Sequence, residues 1–495
     1  MSFKQNFTIY CFFASFFILF TSGRLGTSDA FSQLQAATIL ATEGRLSRDY
    51  LPEHDWGLWV RNSTGQYYEA HDIGNIVLMY LPAKIGAAFT NRTIQSKIDD
   101  PHIAARFGVS IFVALWSAFG CLFVVKLFNC FWPQRTSILL GLAFATTTFF
   151  WPYTKSAWDV GGSCVGMAIL LYGSARLLSS KDATFCDYLA VAFGFIAAVS
   201  FRYSLLPFVG LSLLFLFSHC RAKLNVRYTI LASMIVCVGL LPTLIYNYVR
   251  MGNPLRPATT ADQFAATASL TGSLVRGFSG LIMSPNRGLI EFSPLCILLL
   301  LLPFLWSQFA RSARALVLFF GIGTTLYILM LSKLLLWGPF GWGPRYLVPV
   351  LPVIFFPVGY MIRLLWSRWR ITLGILIAAS ISINGIAVLV NWDLASATYP
   401  QTTQQDVSYP YQQMAVWNGF GLALQGKSLP GGEHRDEIRS AAGRFPDLWE
   451  VRLMERGFIG MLAGGTILIV LLATTVVLFR KLMREDDAFA SSTSN

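Results

Sequence analysis

The sequence predicts an all-α polytopic membrane protein, and three observations carry that prediction. The first is composition. Of 495 residues, 55% are apolar and 13% charged, whereas soluble domains carry roughly 25% charged residues. The second is patterning: apolar runs approaching the ~20 residues that cross a hydrocarbon core recur along the whole chain. The third is where the positive charge sits. The net charge of +13 is concentrated in short clusters beside the apolar runs, as in loops facing the cytoplasm. The basic residues stay in short clusters beside apolar runs, so the charge does not predict a nucleic-acid partner.

The first apolar run, Phe7 to Phe20, follows Lys4 and lacks a small-residue cleavage site, which favours a retained anchor over a signal peptide. Two later segments are ambiguous. Ile73 to Phe89 is short and carries Pro82 and Lys84; Tyr188 to Phe217 is overlong and carries Arg202 near its centre. Reading the first as interfacial and the second as a hairpin puts every basic cluster on one side. These are Lys4, Arg135, Arg176 with Lys181, Arg221 with Lys223 and Arg227, Arg311 with Arg314, Arg363 with Arg368 and Arg370, and Arg480 with Lys481 and Arg484.

About twelve spans result, with both termini inside: Phe7–Phe20, Phe107–Phe128, Thr136–Trp151, Val160–Leu178, Tyr188–Phe201, Tyr203–Phe217, Thr229–Ile245, Phe292–Trp306, Ala315–Leu336, Tyr346–Ile362, Ile371–Val390 and Phe458–Phe479. Polar sequence then collects outside. A first outer loop covers 21–106 and contains the interfacial helices, a second covers 246–291, and a third, of no assigned role, covers 391–457. The last span and a cytoplasmic tail fill 458–495. The eight cysteines lie in apolar spans or at their edges, without a CxxC pair, and read as small buried hydrophobes.

Chemistry is therefore expected at the outer interface. Asp29, in "SGRLGTSDAFSQLQ", and Asp159, in "YTKSAWDV", fall at the same predicted height. Ionisable groups near a membrane are costly unless paired or used; the plainer reading of each is a helix N-cap. "YYEAHDIGNIVLMYLP" offers Glu69, His71 and Asp72. With help from Asp29 or Asp159, this E-x-H-D order has donors for a divalent metal, His71 and Asp72 foremost; the plainer reading is a capped helix start. Lys84, Arg202, Arg256, Arg287 and Arg345 also face outward, against the positive-inside trend. Arg287 and Arg345 are framed by Gly and Pro in "MSPNRGLIEFSP" and "WGPFGWGPRYLVPVLP". A guanidinium fork suits phosphate oxygens; the plainer role is interfacial anchoring.

The ordered stretches "GRLGTSDAFSQLQAATILATEGRL", "YYEAHDIGNIVLMYLP", "WPYTKSAWD", "SPNRGLIEFSP" and "WGPRYLVPVLP" resemble the GT-C superfamily of integral-membrane glycosyltransferases. The nearest branch holds bacterial relatives of protein O-mannosyltransferases and of the lipid A aminoarabinose transferase. The resemblance implies a GT-C fold over 1–390 and transfer of a sugar from a polyprenyl-phosphate donor to a lipid, glycan or protein acceptor, with inversion. It implies a site on the extracytoplasmic side of the plasma (inner) membrane. It makes Asp29 the catalytic base and Asp159 a second acidic site residue that binds acceptor or metal. Arg287, Arg345 or Lys84 would meet the donor phosphate, and the divalent metal stays open. Many relatives carry an acidic pair where this chain has Ser28 and Ala30 flanking Asp29. The rival readings are a lipid-linked-glycan transporter or flippase, and a non-catalytic scaffold. A transporter places ionisable groups near the bilayer midplane, whereas here they gather at one interface.

Overall fold

Helices form at every apolar run that the sequence marks out. The computed structural model describes residues 1–51, 58–180, 183–258, 261, 269–285, 287–338, 341–390, 424, 446–454 and 456–492. Helix α1 (Phe3–Leu19) opens with a capping box between Ser2 and Gln5. The chain then turns through Gly23 and Gly26, both at positive φ, where a side chain would be strained. Thr27 caps α2 (Ser28–Glu43), which ends at a left-handed Gly44.

Strands β1 (Ser47–Arg48), β2 (Trp59–Arg61) and β3 (Tyr67–Glu69) make a small antiparallel sheet of order β1-β3-β2. The sequence reading anticipated no strands in this loop. Their runs are too short to show an alternating pattern. Arg48 pins the sheet: it pairs with Asp99 at 2.6 Å and stacks against Tyr50 and Trp59. Helices α3 (Ile73–Ala88) and α4 (Ile94–Asp99) follow. α3 packs between α2 and α5 (Ile103–Asn129). It exposes an apolar stripe of Val77, Leu81, Ile85 and Phe89, spaced four apart as on one helix face. Such a face suits the interfacial position expected for this segment.

The bundle continues with α6 (Gln134–Thr147), the short α7 (Phe150–Tyr153), α8 (Asp159–Ser179), α9 (Phe185–Phe201), α10 (Leu206–Cys220) and α11 (Val226–Met251). The break expected at Arg202 is present: Arg202 leaves helical geometry at φ −149°, ψ 91° and a 3-10 turn follows. The two arms part, α9 packing on α8 and α11, and α10 on the helix Arg311–Ser332. The central element is α8, buried along nearly its whole length. Its closest neighbour is α9, and small residues permit the approach. A Cβ on Gly166 would overlap the backbone of Ala198, and one on Gly194 the backbone of Leu170.

Seven helices among the described residues are long and apolar enough to cross a membrane: Ile94–Asn129, Asp159–Ser179, Tyr203–Lys223, Val226–Met251, Arg311–Ser332, Arg345–Leu389 and Gly457–Met483. The chain is an integral membrane protein on that basis; the described helices do not by themselves fix the expected count of about twelve spans. Some expected spans are shorter helices, such as α1, α6 and α9. Phe292–Trp306 corresponds to Pro294–Gln308, which is mostly 3-10. Tyr346–Ile362 and Ile371–Val390 merge into Leu351–Leu389, with a non-helical Trp369 between them. The second expected loop, 246–291, begins inside α11 and holds a further helix, Leu274–Met283. Most of the third, 391–445, lies outside the described residues apart from 424. Its end returns to the bundle. Trp449 donates its indole N–H to the Ile18 carbonyl at 3.1 Å, and Asp447 pairs with Lys155 at 2.6 Å.

Replacing Gly166 with Leu should force α8 and α9 apart. Overpacking of this kind typically costs 1–3 kcal/mol, occasionally more. Thermal unfolding in detergent should show a Tm several degrees below wild type, and an unchanged Tm would contradict the close approach.

Candidate active site

Two acidic residues start the site, and each sits in the first turn of a helix, where the positive end of the macrodipole favours negative charge. Neither is the N-cap. At α2 that work falls to Thr27, whose hydroxyl accepts from the Ala30 N–H at 2.9 Å. At α8 the capping position is Trp158, ahead of Asp159.

Asp29 lies between two cationic side chains. Its Oδ2 is 3.5 Å from His71 Nε2 and 3.5 Å from Arg345 Nη1. The other face of His71 is equally engaged: Nδ1 is 2.5 Å from Glu69 Oε1, and the His71 backbone N–H donates to Glu69 Oε2 at 2.8 Å. Glu69 is fully buried and also accepts from Ser32 Oγ at 2.9 Å. Burial works against a charged imidazole, but the carboxylates of Glu69 and Asp29 outweigh it and hold the His71 pKa well above its ordinary 6.5.

The loop carrying these residues is held from α11. Arg250 Nη1 donates to the carbonyls of Glu69, Ala70 and His71 at 3.0, 2.9 and 2.8 Å. Arg250 itself stacks on Tyr246 and donates to Asn247 Oδ1 at 2.6 Å, while the Tyr246 hydroxyl donates to the Glu69 carbonyl at 2.9 Å. Sequence reading missed Arg250. The only signal was an arginine in the last turn of a span, just before the Gly252 cap, in "YNYVRMG".

Arg345 opens a 3-10 turn ahead of the helix Leu351–Leu389. It stacks on Trp158 at 3.9 Å and lies over Tyr346 at 5.4 Å. Its Nε is buried with no hydrogen-bond partner among the described residues. Arg202 lies over the same Tyr346 ring at 4.7 Å and pairs with Asp159 Oδ2 at 3.0 Å. One aromatic ring thus joins the Asp29–Arg345 pair to the Asp159–Arg202 pair. Asp72 faces the second pair, accepting from the Tyr203 N–H at 2.8 Å. Burial pushes its carboxyl up to about 6, against the pull of Arg250 and of that N–H.

The remaining expected residues are placed differently. Arg287 is buried and donates to the Gly341 carbonyl, so it braces the turn that carries Arg345. Gly341 and Gly343 in that turn have positive φ, and Tyr153 donates its hydroxyl to the intervening Trp342 carbonyl at 3.0 Å. Lys84 is exposed on α3 beside Tyr80. Twelve residues beyond Asp72, it sits about 18 Å along the helix axis at ~1.5 Å per residue, so the structure does not bring it to Asp29.

The residues also test the metal reading. A His ligand must be neutral with one nitrogen lone pair directed at the metal. Here both ring nitrogens of His71 face carboxylates, and Asp72 turns to the Tyr203 backbone instead. Among the described residues, no group of three or more His, Cys, Asp or Glu is arranged to hold a metal ion. In the described residues the donor atoms of His71 and Asp72 are engaged by protein partners.

A histidine with a raised folded-state pKa adds stability that is complete below its unfolded value and disappears as pH climbs through the folded value. The Tm advantage of wild type over His71→Asn should therefore be largest near pH 6 and shrink as the pH is raised above about 6.5. A gap that stays constant across that range would contradict the charged His71.

No family model and no curated protein matches the chain. Among solved structures it is similar to ArnT from Cupriavidus metallidurans in two crystal structures. The apo form shares 16% identity at a TM-score of 0.48, over 95% of this chain and 74% of that one. The form bound to undecaprenyl phosphate shares 15% identity at a TM-score of 0.48, over 96% of this chain and 75% of that one.

Proposed function

We propose that the chain is an integral-membrane glycosyltransferase that moves a sugar from a polyprenyl-phosphate donor to an acceptor hydroxyl on the extracytoplasmic side of the plasma membrane. The observation that carries this reading is the meeting of Asp29 with Arg345 at 3.5 Å. A base for the nucleophile and a cation for the leaving group are there gathered in one site, to act on opposite faces of the anomeric carbon in an inverting displacement. The buried Nε of Arg345 has no hydrogen-bond partner among the described residues, and a guanidinium fork binds phosphate oxygens with two parallel donors.

In this reading the donor phosphate lies against Arg345, with Arg202 across the Tyr346 ring. The acceptor oxygen attacks the anomeric carbon and passes its proton to Asp29. The new carbon–oxygen bond forms as the carbon–oxygen bond to phosphate breaks, and the electron pair leaves on the phosphate oxygen. Configuration inverts. The leaving phosphate is already anionic, so positive charge serves it better than a general acid. Asp159, paired with Arg202, holds that second cation in place. No step passes through a metal. The apolar α3 face lets the carrier chain remain among lipids.

The test is Asp29→Asn in the full-length protein, assayed against polyprenyl-phosphate hexoses and pentoses. General-base assistance is worth about 10²- to 10⁴-fold, so kcat should fall by that order while farnesyl phosphate still binds. Wild-type rates in the variant would overturn the assignment. Movement of a lipid-linked glycan across vesicles without sugar transfer would instead establish the transporter.

A further inference from the structure

We propose that Glu69 is a positioning residue: it orients His71, and His71 in turn fixes the Asp29 carboxylate, forming a Glu69–His71–Asp29 relay. This rests on the transfer reading above, in which Asp29 accepts the acceptor proton.

Three features carry the relay. Glu69 is fully buried, and a carboxylate removed from water is costly unless its oxygens are matched by donors. All its side-chain partners lead toward Asp29. Two come from His71, through Nδ1 and the backbone N–H, and the third is Ser32. Ser32 and Asp29 lie three apart on α2, hence on one face of that helix. Glu69 therefore ties His71 to the helix that bears the base.

The backbone of the relay is rigid for its own reason. Arg250 collects three successive carbonyls, from Glu69 to His71, fixing the backbone from which the imidazole projects. With Nδ1 against a carboxylate at 2.5 Å, that nitrogen carries a proton donated to Glu69. Nε2 then points to Asp29 Oδ2 at 3.5 Å, the same oxygen that Arg345 meets. Rotation of a carboxyl about its last torsion is otherwise soft, and two cationic side chains 3.5 Å from one oxygen bias it. A separation of 3.5 Å is longer than a hydrogen bond, and catalytic contacts commonly tighten when substrate binds. His71 keeps its protons throughout, so the chemical step already described stays balanced.

Glu69→Gln retains the shape and removes the charge. In the full-length protein, kcat should fall roughly 10- to 100-fold with the donor KM within about twofold, because the lost interaction matters in the transition state. A merely structural Glu69 would lower Tm and leave kcat of the folded fraction unchanged, which would overturn the proposal. Should Glu69→Gln fail to fold, Ser32→Ala removes a single hydrogen bond from Glu69 and should give a smaller kcat loss at unchanged KM; no loss would count against the relay. A second readout needs no activity. The chain has five histidines, so ¹⁵N-histidine spectra of the full chain in micelles, assigned with His71→Gln, report the proton on His71 Nδ1. A protonated Nδ1 in wild type supports the relay and a bare one overturns it. If wild type turns over no donor, the transfer reading fails while these spectra still decide the Glu69–His71 arm.

Discussion

A carboxylate at the edge of a membrane bundle is held between two cations, and the rest of the site is arranged around that contact. Asp29 Oδ2 meets His71 on one side and Arg345 on the other. Each cation comes from a distant part of the chain and is braced separately. Glu69 and Arg250 hold the His71 segment. Arg287, Tyr153 and two positive-φ glycines shape the turn before Arg345. Charge of this kind at a low-dielectric boundary is tolerated when it is paired, and pairing is what converts sequence-distant residues into one centre.

That convergence depends on how tightly the bundle packs beneath it. α8 carries Trp158 and Asp159 at its start and lies at the centre of the fold. Glycines on α8 and α9 bring the two backbones together, as expected where association relies on close van der Waals fit. The break at the end of α9 then delivers Arg202 to Asp159. Asp72 satisfies the backbone N–H just past that break, so the segment Glu69–Asp72 braces both acidic centres at once.

The charged residues of the candidate site share one kind of position. Asp29 and Asp159 occupy first turns of their helices, Arg202 a break between two, and Arg345 the turn before one.

How much of this was legible beforehand differs by residue. The helical membrane class and the break at Arg202 follow from local signals: apolar run length, and a charge inside an overlong run. Asp29, Asp159, Arg287 and Arg345 stood out because charge beside apolar sequence is conspicuous. Where a helix changes character was not legible, because a turn of 3-10 helix or a bend such as that at Trp369 leaves hydropathy unchanged. Nor was the partnership of Glu69, His71 and Asp29, or the clamp by Arg250 about 180 residues away. By itself the sequence determined where the chain is apolar and where it carries charge, since both are properties of single residues and their neighbours. Which charges face each other was decided only by the tertiary structure, because ion pairing depends on distances of a few ångströms between elements that sequence order leaves far apart.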